Sequence, residues 1–133
     1  DSPTDAPSVP TQSGGVVLLV EDEAPVRAFA GRALKLRGYT VLEAANAEEA
    51  LDILKDGALN VDVFVTDVIM PGLDGPSWVR QALRDRPKTK TVFVSGYSEE
   101  GRVEKQARIP NSVFLPKPFS LRQLTDVVND QLV

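Results

Sequence analysis

The chain has 133 residues, 42% of them hydrophobic, with 15 basic and 19 acidic side chains and a net charge of −4. It carries no cysteine and no histidine, which excludes a disulfide framework, thiolate chemistry and the commonest side chain for acid–base work and metal binding. The basic residues are scattered, so no electrostatic footprint for nucleic acid or an anionic membrane arises, and no apolar run approaches a bilayer span or a signal peptide.

These bounds lead us to expect a soluble, cytoplasmic protein. Its first 15 residues, DSPTDAPSVPTQSGG, hold three prolines and small polar residues without apolar periodicity, the composition of a flexible linker. Because this stretch leads a chain that opens on Asp1, the expectation is a domain over residues 16–133 cut from a longer polypeptide, with other domains upstream.

From Val16 onward, short apolar runs alternate with helical periodicity. VVLLV reads as a first strand, and Val26, Phe29, Ala30, Ala33 and Leu34, spaced i, i+3, i+4, i+7, i+8, read as the inner stripe of a helix that Gly38 ends. TVLEA is a second strand. Asn46 with Glu49 three residues later resembles a capping box and opens a helix carrying Ala47, Ala50, Leu51 and Leu54. VFVT is a third strand. After the turn that follows it, Pro76 starts a helix with Trp78, Val79, Ala82 and Leu83 inward, closed before Pro87. TVFV and VFL supply strands four and five, and Ser120 with Gln123 caps a last helix carrying Leu121, Leu124, Val128 and Leu132. Between strands four and five, YSEEGRVEKQARIPN (residues 97–111) predicts a short or mobile helix, because Gly101 and Pro110 interrupt it and Val103 and Ala107 are its few anchors.

Strands that read as continuous apolar runs are buried on both faces. That predicts an α/β fold with a parallel sheet covered on each side by helices, and the right-handed crossover rule favours a flavodoxin-like order, 2-1-3-4-5. In such sheets ligands sit outside the carboxyl ends of the strands, where the strand order reverses. Strand one runs into Glu21 and Asp22, strand three into Asp67, strand four into Ser95, and strand five into Lys117.

Each of these residues has an ordinary explanation when taken alone. The acidic pair could cap a helix, Asp67 could make an Asx-turn, Ser95 before Gly96 could be turn chemistry, and Lys117 could be a solvated surface lysine. Independent accidents would not place all of them at one edge of one sheet. Crowded carboxylates repel and need a compensating cation, and a hard site of oxygen ligands suits Mg²⁺. A carboxylate can attack phosphorus to give an acyl phosphate, whose oxygens then need a cation and donors around them. Lys117, the metal, Ser95 and backbone N–H groups can supply these, which points to reversible phosphorylation of Asp67.

The segments VLLVEDE, VTDVIMPGLDG, VFVSGYS and FLPKPF resemble, in order and over residues 16–133, the motifs of response-regulator receiver domains. The resemblance implies that Asp67 is the phosphoacceptor and that Glu21, Asp22 and Asp67, with the Ile69 carbonyl, hold Mg²⁺, Glu21 acting through water. It implies phosphoryl contacts at Ile69, Ser95, Gly96 and Lys117, a switch made of the Ser95 hydroxyl and the Phe114 ring, and a cis Lys117–Pro118 bond. The phosphodonor would be a phosphohistidine on a histidine kinase domain or a histidine phosphotransfer protein, since this chain has neither histidine nor a nucleotide-binding loop. VSGYSEE and FLPKPFSLRQL are similar, more narrowly, to the terminal receivers of hybrid histidine kinases of the alphaproteobacterial cell-cycle type. Ser95, Phe114 and Glu21 stand where threonine, tyrosine and aspartate are more frequent; phenylalanine has no hydroxyl, so the switch would rely on packing. Ile69 and Tyr97, two positions beyond the acceptor and the switch serine, could shield an acyl phosphate from water and slow its hydrolysis.

Two other classes fit less well. A flavin-type phosphate cradle after strand one would meet repulsion from Glu21, Asp22 and Glu23, and an aspartate phosphatase of the haloacid-dehalogenase kind would show a second aspartate where Ile69 stands. A receiver-like module that binds partners without being phosphorylated is the remaining alternative, against which the full acidic, hydroxyl and lysine set weighs.

Overall fold

In the computed structural model, which describes residues 15–95 and 109–132, five parallel strands form one sheet. In chain order the elements are β1 (Val16–Val20), α1 (Ala24–Leu36), β2 (Thr40–Ala44), α2 (Ala47–Leu54), β3 (Val63–Asp67), α3 (Gly75–Leu83), β4 (Lys90–Ser95), β5 (Ser112–Pro116) and α4 (Leu121–Leu132). The spatial order is β2-β1-β3-β4-β5, the flavodoxin-like topology expected from the alternating pattern. The segment expected to be a short or mobile helix falls largely outside the described residues, as do Gly96 and Tyr97.

Two apolar layers hold the sheet. On one face Leu18, Val20, Phe64 and Phe93 pack against Ala47 and Ala50 of α2 and Trp78, Val79 and Ala82 of α3. On the other, Val17, Leu19, Val63, Val65, Val92 and Val94 meet Ala30 and Leu34 of α1 and Leu124 and Val128 of α4. The alternation follows from the strand period of two, which sends successive side chains to opposite faces. Every residue of β3, the central strand, is buried.

Local chemistry sets the helix ends. Asn46 accepts from Glu49 N–H at 2.8 Å while the Glu49 side chain accepts from Ala45 N–H at 2.8 Å. Ser120 and Gln123 bond reciprocally in the same manner, at 2.8 and 3.0 Å. Helix α1 ends at Gly38, whose φ of +95° is one that residues with a side chain rarely adopt. Two positions depart from the expected inner stripes. Phe29 and Leu121 are 44% and 42% exposed, because the buried arcs of α1 and α4 centre on Ala30, Ala33 and Leu34 and on Leu124, Thr125 and Val128, leaving those two at the margin. Thr125 is buried because its hydroxyl bonds back to the Leu121 and Arg122 carbonyls and accepts from Arg37 at 2.9 Å. No helix among the described residues is long and apolar enough to cross a membrane.

Candidate functional site

The carboxyl ends of β1, β3, β4 and β5 bring Glu21, Asp22, Asp67, Ser95 and Lys117 to one edge of the sheet. Oxygen atoms of Glu21, Asp22 and Asp67 lie within 4.8 Å of one another. Lys117 Nζ stands 3.0 Å from Asp67 Oδ1 and 3.6 Å from Glu21 Oε1. Glu21 and Asp67 are each 3% exposed, whereas Asp22 reaches solvent, so the cluster opens outward on one side.

The ordinary explanations of these residues do not describe what they do here. Helix α1 has Glu23 at its N-cap position with no side-chain cap, while Glu21 accepts from Glu23 N–H at 3.1 Å and its own carbonyl takes the Arg27 guanidinium at 2.7 Å. Asp67 makes no Asx-turn: apart from the ion pair with Lys117, neither carboxylate oxygen finds a hydrogen-bond partner among the described residues. The Ser95 hydroxyl is fully buried and likewise without a partner there. Lys117 is paired rather than solvated.

Such an arrangement costs free energy unless something else is bound, because buried polar atoms are nearly always bonded. Burial, and next to it the Glu21 carboxyl, pushes the Asp67 pKa up to about 8, with Lys117 pulling the other way. Burial draws the Lys117 ammonium down, but Asp67 and Glu21 more than offset this and leave it above the usual lysine value. Three carboxyl groups thus crowd one ammonium, and burial disfavours the charged form of Asp67. The donor set is all oxygen and partly buried, and the Asp67 oxygens accept no hydrogen bond among the described residues beyond the Lys117 ion pair, which fits a hard divalent cation such as Mg²⁺.

Ile69 occupies the turn after β3 and is 49% exposed, beside Met70, which is buried in the core. Phe114 is half-buried on β5, opposite Phe93 in the register, and the two rings stack with centroids 5.3 Å apart. The Lys117–Pro118 peptide is cis. Three residues that the sequence reading did not attach to the site also touch it. Thr66 donates to the Asp67 carbonyl, Trp78 donates to Thr66, and Gly75 lies so close that a Cβ on it would stand 2.1 Å from the Asp67 carbonyl oxygen. The sequence held a hint for Gly75 in its place directly after a turn and before Pro76; it held none for the Thr66–Trp78 pair.

Comparison with known proteins agrees with this geometry. Residues 17–129 match the response regulator receiver domain family. The chain is a receiver domain of that family. This receiver is 47% identical over 116 residues to the sensor kinase CckA of Brucella abortus, an alignment that covers 87% of this chain but 12% of the kinase. It is 29% identical over 117 residues to the response regulator receiver protein CpdR of the same organism, covering 88% of this chain and 96% of CpdR. The crystal structure of the receiver domain from the hybrid histidine kinase CckA superposes with a TM-score of 0.76 at 39% identity, covering 90% of this chain and all of that one. The chain thus spans about an eighth of the sensor kinase it matches and nearly the whole of CpdR.

Proposed function

We propose that this receiver is reversibly phosphorylated on Asp67, with phosphoryl groups exchanged with a histidine on a kinase domain or on a histidine phosphotransfer protein. The observation that carries the reading is the buried Asp67 carboxylate, without a hydrogen-bond partner among the described residues beyond its ion pair, facing the Lys117 ammonium at 3.0 Å and the carboxylates of Glu21 and Asp22. A carboxylate so placed is a nucleophile with nothing else to do.

In the forward step an Asp67 oxygen attacks phosphorus, the bond from phosphorus to the donor imidazole nitrogen breaks, and the electron pair stays on that nitrogen. The imidazole leaves neutral when its other nitrogen carries a proton. In hydrolysis water attacks phosphorus, the bond from phosphorus to the Asp67 oxygen breaks with its electron pair left on that oxygen, and inorganic phosphate departs with the protons of the water, so that the carboxylate is restored. Glu21, Asp22 and Asp67, with the Ile69 carbonyl, are the groups that would hold Mg²⁺. The ion supplies positive charge to the phosphoryl oxygens as they gather charge in transfer. Lys117 adds a second cation beside Asp67 and favours its ionised form, in part opposing the effect of burial. Ser95, whose hydroxyl has no other partner among the described residues, is suited to donate to a phosphoryl oxygen, and Ile69, Gly96 and Lys117 complete the phosphoryl contacts. Phe114, packed on Phe93 two residues before Ser95, is placed to follow that serine, so that phosphorylation shifts a two-state equilibrium of this edge of the sheet. The match to part of a sensor kinase supports a place within a hybrid kinase, and on this reading the receiver is its cytoplasmic end.

Acetyl phosphate tests the reading directly. With Mg²⁺ the wild type should gain one phosphoryl group by intact mass, and Asp67→Asn or removal of Mg²⁺ should abolish it. Absence of an adduct with a cognate phosphohistidine protein as well would leave a module that only binds partners.

A further inference from the structure

The ladder between β1 and β3 closes with the pair Val20 and Thr66, so the backbone carbonyl of Asp67 lies one residue past its end. Two groups close on that carbonyl. The Thr66 hydroxyl donates to it at 3.0 Å, and Gly75 packs against it. Thr66 in turn accepts a hydrogen bond from the ring N–H of Trp78, also at 3.0 Å. Thr66 and Trp78 have no solvent exposure, and Phe64 holds the Trp78 ring edge-on with centroids 4.9 Å apart.

Burial alone would favour valine at position 66, the same shape without a hydroxyl to satisfy. The hydroxyl is instead satisfied on both sides, and bonds in series polarise one another, the Trp78 donor strengthening the donation to Asp67. The chain ends on the peptide plane that joins Asp67 to Val68. That plane is held at its other end by the Val68 N–H, which donates to the Val94 carbonyl at 3.2 Å, and the next plane is held where the Val68 carbonyl accepts from Gly75 N–H at 2.8 Å. Its orientation fixes ψ of Asp67 and φ of Val68, and with them where the backbone of Ile69 stands relative to the Asp67 carboxylate.

We propose that Thr66 and Trp78 are positioning residues for the Asp67 site: the Trp78–Thr66–Asp67 carbonyl relay fixes the plane from which the acceptor and its following turn are hung. By doing so it sets the affinity of the carboxylate cluster for a divalent cation and couples the first turn of α3 to the acceptor. The inference rests on the reading of that cluster as a cation-assisted phosphoacceptor. The relay works through hydrogen bonds, so a methyl in place of the hydroxyl should loosen the site although the core stays filled.

The test is an Mg²⁺ titration followed by backbone amide shifts, with thermal unfolding in parallel, on the wild type, Thr66→Val, Thr66→Ser and Trp78→Phe. Thr66→Val should weaken Mg²⁺ binding about tenfold, the lower end of what loss of a ligand-orienting partner costs, and Trp78→Phe should weaken it by a smaller factor. Thr66→Ser, which keeps the hydroxyl, should bind like the wild type. Equal Mg²⁺ affinity in Thr66→Val and wild type, or Thr66→Ser as weak as Thr66→Val, overturns the relay even if the melting temperature falls. Should Thr66→Val fail to fold, wild-type affinity in Trp78→Phe overturns it. A wild type that binds no Mg²⁺ removes the underlying reading of the site, a result seen before any variant is compared.

Discussion

Lys117 Nζ, just beyond β5, lies 3.0 Å from the Asp67 carboxylate at the end of β3, while Glu21 presses on the same carboxylate and shares the same lysine at 3.6 Å. The ammonium therefore serves two buried acids at once, and its loss separates holding a cation from using it. In Lys117→Met the three carboxylates remain, so Mg²⁺ should still bind. Phosphoryl incorporation from acetyl phosphate should fall about a hundredfold, the usual consequence of losing one preorganised charge at a reacting oxygen. Isothermal titration and intact mass on the same sample check both halves.

The raised pKa of Asp67 gives a pH dependence whose sign can be worked out. Its folded value of about 8 lies above the ordinary 3.8, so between those values the folded chain binds the extra proton. Stability from this group is then full in acid and is lost as pH rises through the folded value. In EDTA, the wild type should melt lower at pH 8.5 than at pH 6, and Asp67→Asn should lose much of that slope and melt higher than wild type at pH 8.5. Mg²⁺ should raise the wild-type melting temperature more at the higher pH, since it need not displace a proton there. A calorimetric series in both buffers measures all three.

Gly75 tests how closely α3 is set against the acceptor. A methyl there would stand 2.1 Å from the Asp67 carbonyl oxygen, and both sides of that clash are backbone. Gly75→Ala should cost about 3 kcal/mol or more, a fall of roughly 10 °C in melting temperature, despite the better helix propensity of alanine. A loss under about 1 kcal/mol by urea denaturation would mean that α3 can move away freely.

Ile69 is half-exposed in the turn after β3, where on the proposed reading it would screen an acyl phosphate from water. Ile69→Asn should speed loss of the phosphoryl group several-fold, as a polar side chain can orient an attacking water by a hydrogen bond. The decay is read by mass after the donor is removed, and an unchanged rate would assign the lifetime to other groups.

Ser95→Ala separates acceptance from switching. Its hydroxyl is buried without a partner among the described residues, so its removal should leave stability within about 1 kcal/mol of the wild type. Phosphorylation should still occur, but the amide shifts of β5 that accompany it in the wild type should shrink, as seen by NMR.

What was legible in the sequence was what depends on local period and local chemistry. Apolar runs marked all five strands, Asn46 with Glu49 and Ser120 with Gln123 marked two helix starts, and strand ends told which acids would meet. Phe29 and Leu121 were misplaced because a 3.6-residue stripe is wide, and which margin of it faces the core depends on how the helix is rolled on the sheet. Asp74, which caps α3 by accepting from Ser77 N–H at 2.8 Å, was hidden behind the stronger signal of Pro76. The Thr66–Trp78 bond joins residues 12 apart on different elements, and nothing in either neighbourhood announces it.

β3 is the central strand of the five, with helices on both faces of the sheet, and it alone of the five is buried at every residue. Amides at such a place exchange with solvent only when the whole molecule opens, not by fraying. On the proposed reading, an acyl phosphate rooted there would therefore decay through the intact site. Its lifetime would then be set by the few side chains at the mouth, so that substitutions there could shorten or lengthen a signal while the durability of the protein stays where it was.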